Sequence, residues 1–224
     1  ERPNGNWDIA PIERTSNLWY LVSDQKKPSC AGLAAVNLDR NYIFDAFISK
    51  HLSPFYMTTP AKVLIPGKKV DGQWKAISAT DRALMNASTS YVFNQIEEDG
   101  NTPATLETYL EDTINIYGKL EKQTFTTKDW LVLSSASGSN PCAAYISLET
   151  FDRSRLVIDQ TLYWHLADSE EEAIYIVGLL NSNAMSDAIK DFQPEGGFGK
   201  RHIHTLPYKI IPEFDCEDAA HTQV

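Results

Sequence analysis

The sequence predicts a mixed α/β fold of the α+β kind, with short mixed or antiparallel strands and about four helices, on two observations. Runs of β-branched and aromatic residues recur between polar breaks over much of the chain, and a helical period replaces them in two stretches only. At 224 residues, with 42% hydrophobic and 11% aromatic residues, there is enough apolar surface for a sizeable core. With no internal repeat, low-complexity linker or clear boundary, the expectation is one unit over 1–224. Within it, residues 1–78 are β-rich, residues 79–122 helical and residues 128–215 mixed α/β, and residues 216–224 form a tail.

The elements follow in order. Asn17–Ser23, 31–36 and 42–48 read as strands. Lys62–Ile65 ends at the turn pair Pro66-Gly67, and Asp71-Gly72 before Gln73–Ile77 signals a hairpin. Ser78 and Asp81 have capping-box spacing, opening one helix to about Glu97. Its inward face takes Ala83, Leu84, Ala87, Tyr91 and Phe93 to Ile96. Thr102-Pro103 then offers an N-cap and a first-turn proline for a second helix over roughly 103–120, with Leu106, Tyr109, Leu110, Ile114 and Tyr117 inward.

Trp130–Ser134, Cys142–Ser147, Arg155–Ile158 and Thr161–His165 read as strands, the first two joined by the polar loop Ser135–Pro141. Asp168 and Glu171 suggest a second capping box, so the acids Glu170 to Glu172 suit the positive end of a helix from Ser169 to about Asn181 rather than an acid–base pair. A further helix runs from Ser182 to about Phe192. Ile203–Phe214 is the last ordered stretch, and 216–224 reads as a frayed tail.

Charge narrows the function. The net charge of −10 opposes indiscriminate DNA binding, which depends on cations replacing phosphate counterions. Residues 1–127 carry 13 Lys+Arg against 15 Asp+Glu, whereas 128–224 carry 7 against 15. Against that trend, residues 50–75 hold Lys50, Lys62, Lys68, Lys69 and Lys75 with Asp71 as their one acid. Two readings stand for this stretch: a phosphate-binding stripe, or lysines that block pairing at a strand edge. Cys30, Cys142 and Cys216 are odd in number and lack CxxC spacing, which fits a reducing cytoplasm. No apolar run approaches the roughly 18 residues of a membrane span. The start, Glu1-Arg2-Pro3-Asn4, has neither Met nor a signal-peptide pattern, so a fragment of a larger protein is expected.

Gly196-Gly197-Phe198-Gly199-Lys200-Arg201 is the most distinctive local string, since glycines let a backbone approach a ligand and two cations follow at once. It is not a Walker loop: Pro194 and Arg201 stand where Gly and Ser/Thr are required. A phosphate-facing turn and an ordinary tight turn both remain open. His202 and His204 share a face if extended, but two ligands without a third make no metal site, and no metal is expected. Asp8 with Asp24-Gln25-Lys26 matches a nuclease centre only loosely, and no GxSxG elbow or Ser/His/Asp set suggests a hydrolase. No catalytic residue is assigned. Trp7, Trp19, Tyr20, Trp74, Trp130, Tyr163 and Trp164 lie mostly in expected strands, where packing accounts for them and base stacking remains the alternative for one or two.

Several spaced elements in the C-terminal third resemble a known family. They are Thr161-Leu-Tyr-Trp164, Glu170–Ser182 with its Gly-Leu-Leu-Asn-Ser end, Phe192-Gln193, Gly197-Phe-Gly199, Arg201-His-Ile-His204, Pro207 and Ile211-Pro-Glu-Phe-Asp215. In type and order they are similar to the region after the catalytic domain in adenine-specific (N6) DNA methyltransferases of restriction-modification and phage-defence systems. Ser49–Phe55 and Leu131–Ile146 extend the resemblance to most of the chain from about residue 40, most weakly over 79–122.

The resemblance implies a target-recognition-like fold that reads double-stranded DNA beside a catalytic domain of the same parent chain, and other restriction or defence subunits as further partners. That family holds S-adenosylmethionine on a Gly-rich loop and grips adenine with an Asn/Asp/Ser-Pro-Pro-aromatic tetrapeptide. Neither string is present: Ser53-Pro-Phe-Tyr56 and Asn140-Pro-Cys-Ala143 lack the second proline. No cofactor is therefore expected in this segment, and S-adenosylmethionine belongs to the missing catalytic domain. The DNA-binding candidates rest on physical grounds: Lys200, Arg201, His202 and His204 after the glycine turn, Ser137, Ser139 and Asn140 in the polar loop, and Lys62, Lys68 and Lys69 for phosphates. The competing reading is a protein-interaction module of a defence complex, docking through its acidic C-terminal surface with little DNA contact.

Overall fold

A computed structural model describes residues 7–9, 12–15, 18–21, 36–98, 105–125, 128–136, 141–190 and 211–223. It is mixed α/β, with short, mostly antiparallel strands in small sheets. Two compact units emerge, each assembled from three segments: 1–46, 61–124 and 154–157 in the first, 47–60, 125–153 and 158–224 in the second.

In the first unit, β1 (Trp7–Ile9) pairs antiparallel with β4 (Val36–Leu38). The main sheet joins β2 (Ile12–Thr15), β3 (Leu18–Leu21), β8 (Ala61–Leu64), β5 (Ile43–Phe47) and β13 (Leu156–Ile158), in that spatial order. Val63 pairs with both Phe44 and Tyr20, which makes β8 the central strand, and Val63 and Leu64 are fully buried. β9 (Gly67–Val70) and β10 (Gln73–Ala76) form the expected hairpin. Asp71 (φ 52°) and Gly72 (φ 81°) are both left-handed, as a two-residue turn of this twist requires. A Cβ on Gly67 would lie 2.8 Å from Leu110 Cδ2 and 3.0 Å from the Lys75 carbonyl, so close packing is what demands glycine there.

The helical region departs from its sequence reading. The first helix splits into α1 (Ala79–Leu84) and α2 (Ala87–Glu98). Asn86 breaks it by giving its backbone N–H and its side-chain amide to the Asp39 carboxylate, both at 2.9 Å. Phe93 is buried against Tyr42 as an edge-on pair at 5.5 Å, but Leu84 (81% exposed) and Tyr91 (49%) face solvent, against expectation. The second helix is α3 (Leu106–Tyr109), capped by Thr105, followed by a π turn over Leu110–Ile114 in which the Asn115 N–H reaches the Leu110 carbonyl. Leu106, Leu110 and Ile114 are buried as their spacing predicts. Tyr117 is not inward: at φ 60° it leaves helical geometry and is 82% exposed.

The second unit holds a three-stranded antiparallel sheet with β11 (Trp130–Ser135) between β12 (Ala143–Ser147) and β14 (Leu162–Ala167). α4 (Glu170–Leu180) lays Ala173, Ile176, Val177 and Leu180 on Val132, Ala143 and Ala167. Its N-cap is Ser169, one residue past the expected Asp168, because Ser169 is extended and its Oγ accepts the Glu172 amide at 3.1 Å. α5 (Asn183–Lys190) follows. The tail is not frayed over 219–222: Asp218 caps α6 (Ala219–Thr222), and His221 packs 4.6 Å from the Tyr175 ring. A short hairpin, β6 (Leu52–Ser53) with β7 (Tyr56–Met57), lies against β11 and β12.

Candidate functional site

The first unit contains an open pocket of about 380 Å³. The 3-10 turn Arg40–Tyr42 and β5 supply Asn41, Tyr42 and Phe44, β9 supplies Lys68 and Lys69, the first turn of α1 supplies Asp81, and Ser154 and Arg155 enter just before β13. Three cations and one carboxylate line it.

Each charge is positioned differently. Asp81 closes the capping box of α1, accepting from the Ser78 N–H at 3.0 Å and the Ser78 hydroxyl at 2.7 Å, and it also takes the Lys68 ammonium at 2.5 Å. Those bonds, Lys68 foremost and Ser78 next, hold its carboxyl at a pKa of about 2. Lys68 is thus committed to an ion pair. Lys69, next on the strand, is exposed and makes no hydrogen bond or ion pair to another described residue. Arg155 is seated by donating to the Ile43 carbonyl through Nε (3.2 Å) and Nη2 (2.6 Å), and to the Arg40 carbonyl. Its guanidinium lies over the Phe44 ring, 5.3 Å from the centroid. Burial, followed by the Asp81 and Asp39 charges, pushes the Tyr42 phenol above its ordinary pKa, so the wall carries a protonated hydroxyl at neutral pH. The arrangement suits an anionic group held by charge and hydrogen bonds.

Of the residues nominated from sequence, the pocket brings together Lys68 and Lys69. Lys62 is elsewhere, on β8, where it pairs across the sheet with Asp45 at 2.5 Å. Lys200, Arg201, His202, His204, Ser137, Ser139 and Asn140 lie outside the described residues, as do Asp24 and Lys26. Sequence reasoning missed Arg155, Asn41, Ser154 and the aromatic wall; Arg155 was visible only as the start of a strand. Among the described residues, no group of three or more metal-ligating side chains is poised for a metal ion, and no helix is long and apolar enough to cross a membrane. No family model and no curated protein matches the chain.

Proposed function

We propose that this chain is the DNA-sequence-recognition segment of an adenine-N6 DNA methyltransferase of a restriction-modification or phage-defence system. It works in the cytoplasm on double-stranded DNA, beside a catalytic domain of the same parent chain that holds S-adenosylmethionine. The observation that carries the DNA-binding role is the pocket where Lys68, Lys69 and Arg155 converge in a chain of net charge −10. Cations gathered at one concavity of an acidic protein suit a local phosphate contact while the remaining surface discourages non-specific binding. The enzyme class is supported by the ordered resemblance over Thr161–Asp215.

The acid excess in residues 128–224 favours the second reading, a module that docks onto another defence subunit. Salt separates the two. Duplex affinity of a phosphate-reading module falls steeply with salt, and Lys69→Ala reduces the log–log slope by about 0.9. Absence of duplex binding at about 50 mM salt, or a slope that Lys69→Ala leaves unchanged, overturns the DNA reading and puts the docking module ahead.

A further inference from the structure

The pocket of the first unit is lined by more positive charge than one bridging phosphate can use. Lys68, Lys69 and Arg155 stand against Asp81 alone among its charged residues, which leaves a net charge of +2 in a chain of −10. Asp81 stays ionised at neutral pH, since its carboxyl sits at about 2. Lys68 gives Asp81 one of an ammonium's three N–H groups. Lys69 is exposed and has no hydrogen-bond or ion-pair partner among the described residues. Arg155 gives Nε and Nη2 to the Ile43 and Arg40 carbonyls, which are neutral, so these bonds seat the guanidinium and leave its charge in place.

The register of the β9–β10 hairpin brings two of these cations to the same side. Lys69 stands directly opposite Trp74, and opposed residues of an antiparallel pair share a face. The Trp74 ring lies 4.9 Å from the Phe44 ring, which the Arg155 guanidinium covers at 5.3 Å. Lys69 and Arg155 thus both lie on the side of the hairpin that holds this aromatic pair. Asn41, Tyr42 and Ser154 add neutral polar groups to the lining, and a volume of about 380 Å³ is within the range of small-ligand sites.

A phosphodiester within a DNA backbone carries one negative charge and is hemmed in by a sugar on each side. A terminal phosphoryl group carries close to two at neutral pH and presents three oxygens. We propose that this pocket takes a terminal phosphoryl group, at the 5′ end of a DNA strand or on a free nucleotide, in preference to a bridging phosphodiester. This rests on the reading of the pocket as a phosphate contact given above, and names which phosphate it selects.

The test uses the full chain and a DNA hairpin with one open end, made with a 5′ hydroxyl, a 5′ phosphate or a 5′ methyl phosphate, the last a monoanionic diester. At about pH 7.5, where the second phosphate proton is gone, the 5′-phosphate hairpin binds about 10-fold tighter than either of the others. Lys69→Ala lowers the net charge of the pocket to +1 and removes most of that preference, and Lys69→Arg restores it. Thymidine 5′-monophosphate, added as competitor, identifies the source. Displacement at a concentration equal to that of the DNA marks a free nucleotide as the ligand, and displacement only in large excess marks the DNA end. Equal binding of the three hairpins by the parent chain, or a preference that Lys69→Ala leaves intact, overturns the proposal. In that case, salt-dependent binding of a dumbbell duplex, which has no ends, leaves the phosphate contact standing, and failure to bind any of these DNAs or the mononucleotide removes both.

Discussion

At the residue scale, Asp81 shows how a local cap and a distant charge combine at the pocket. Its position three residues after Ser78 is readable as a capping box, and the structure keeps both arms of that box. Lys68 arrives from another element and makes the pair a bridge between the β9–β10 hairpin and α1. The folded carboxyl sits at about 2, below its ordinary 3.8. Its contribution to stability is therefore complete above the ordinary value and is lost as pH falls through 3.8 toward 2. With Lys68 partly exposed, that contribution is on the order of 1 kcal/mol after solvent screening. In Lys68→Met, the Asp81 midpoint followed by carboxyl NMR should rise toward 3.8, with correspondingly less stability lost on acidification. A midpoint still near 2 would mean that Ser78 alone sets it. The consequence for binding is a division of labour: Lys68 fixes the pocket wall, and Lys69 carries the charge offered to a ligand.

At the element scale, the start of α4 gives a sharp test. Ser169 Oγ accepts the Glu172 amide at 3.1 Å, and Glu172 reaches back to the Asp168 N–H, whereas Asp168 has a side chain 75% exposed and paired with Lys128. Ser169→Ala should cost about 1 kcal/mol in urea denaturation. Asp168→Ala should cost less, about 0.5 kcal/mol, because a solvated ion pair contributes little. A larger loss for Asp168 would restore it as the cap. This one-residue shift marks how far the elements were legible. Strands rich in β-branched residues, the Asp71-Gly72 turn and the apolar stripe of α4 are set by neighbours in sequence, so they appeared there. The break at Asn86 was hidden because its partner Asp39 is 47 positions away. Leu84 and Tyr91 were assigned inward by one continuous helical period, which that break interrupts. Arg155 was hidden for the same reason: the Ile43 and Arg40 carbonyls that seat it lie 112 and 115 positions off. The Lys68-Lys69 pair was legible because the two are neighbours in sequence. Its Asp81 partner was legible as a cap but not as a counterion.

At the scale of the whole molecule, the chain does not complete one unit before beginning the other. Residues 154–157 belong with 1–46 and 61–124, and β13 adds the edge strand beside β5. Local pattern identifies Leu156–Ile158 as a strand but cannot say which sheet it joins, since pairing is decided by contacts remote in sequence. This ordering has a consequence for fragments. A chain ending at residue 124 retains β2, β3, β8 and β5 but lacks β13, and lacks Arg155, whose backbone carbonyl accepts the Asp45 N–H at 2.9 Å and whose guanidinium covers Phe44. The β5 edge, with Ile43, Phe44 and Ala46 buried in the intact protein, then presents unpaired backbone groups and apolar side chains together. The expected outcome is a 1–124 fragment that aggregates or gives poorly dispersed amide NMR signals, while a synthetic peptide covering 152–160, added in trans, improves dispersion by restoring the edge. A soluble, monomeric 1–124 fragment with native-like dispersion and no response to the peptide would show that the first unit is complete without its last strand. The pocket would then be tested in that fragment directly, since Lys68, Lys69 and Asp81 remain and only the Ser154–Arg155 wall is gone.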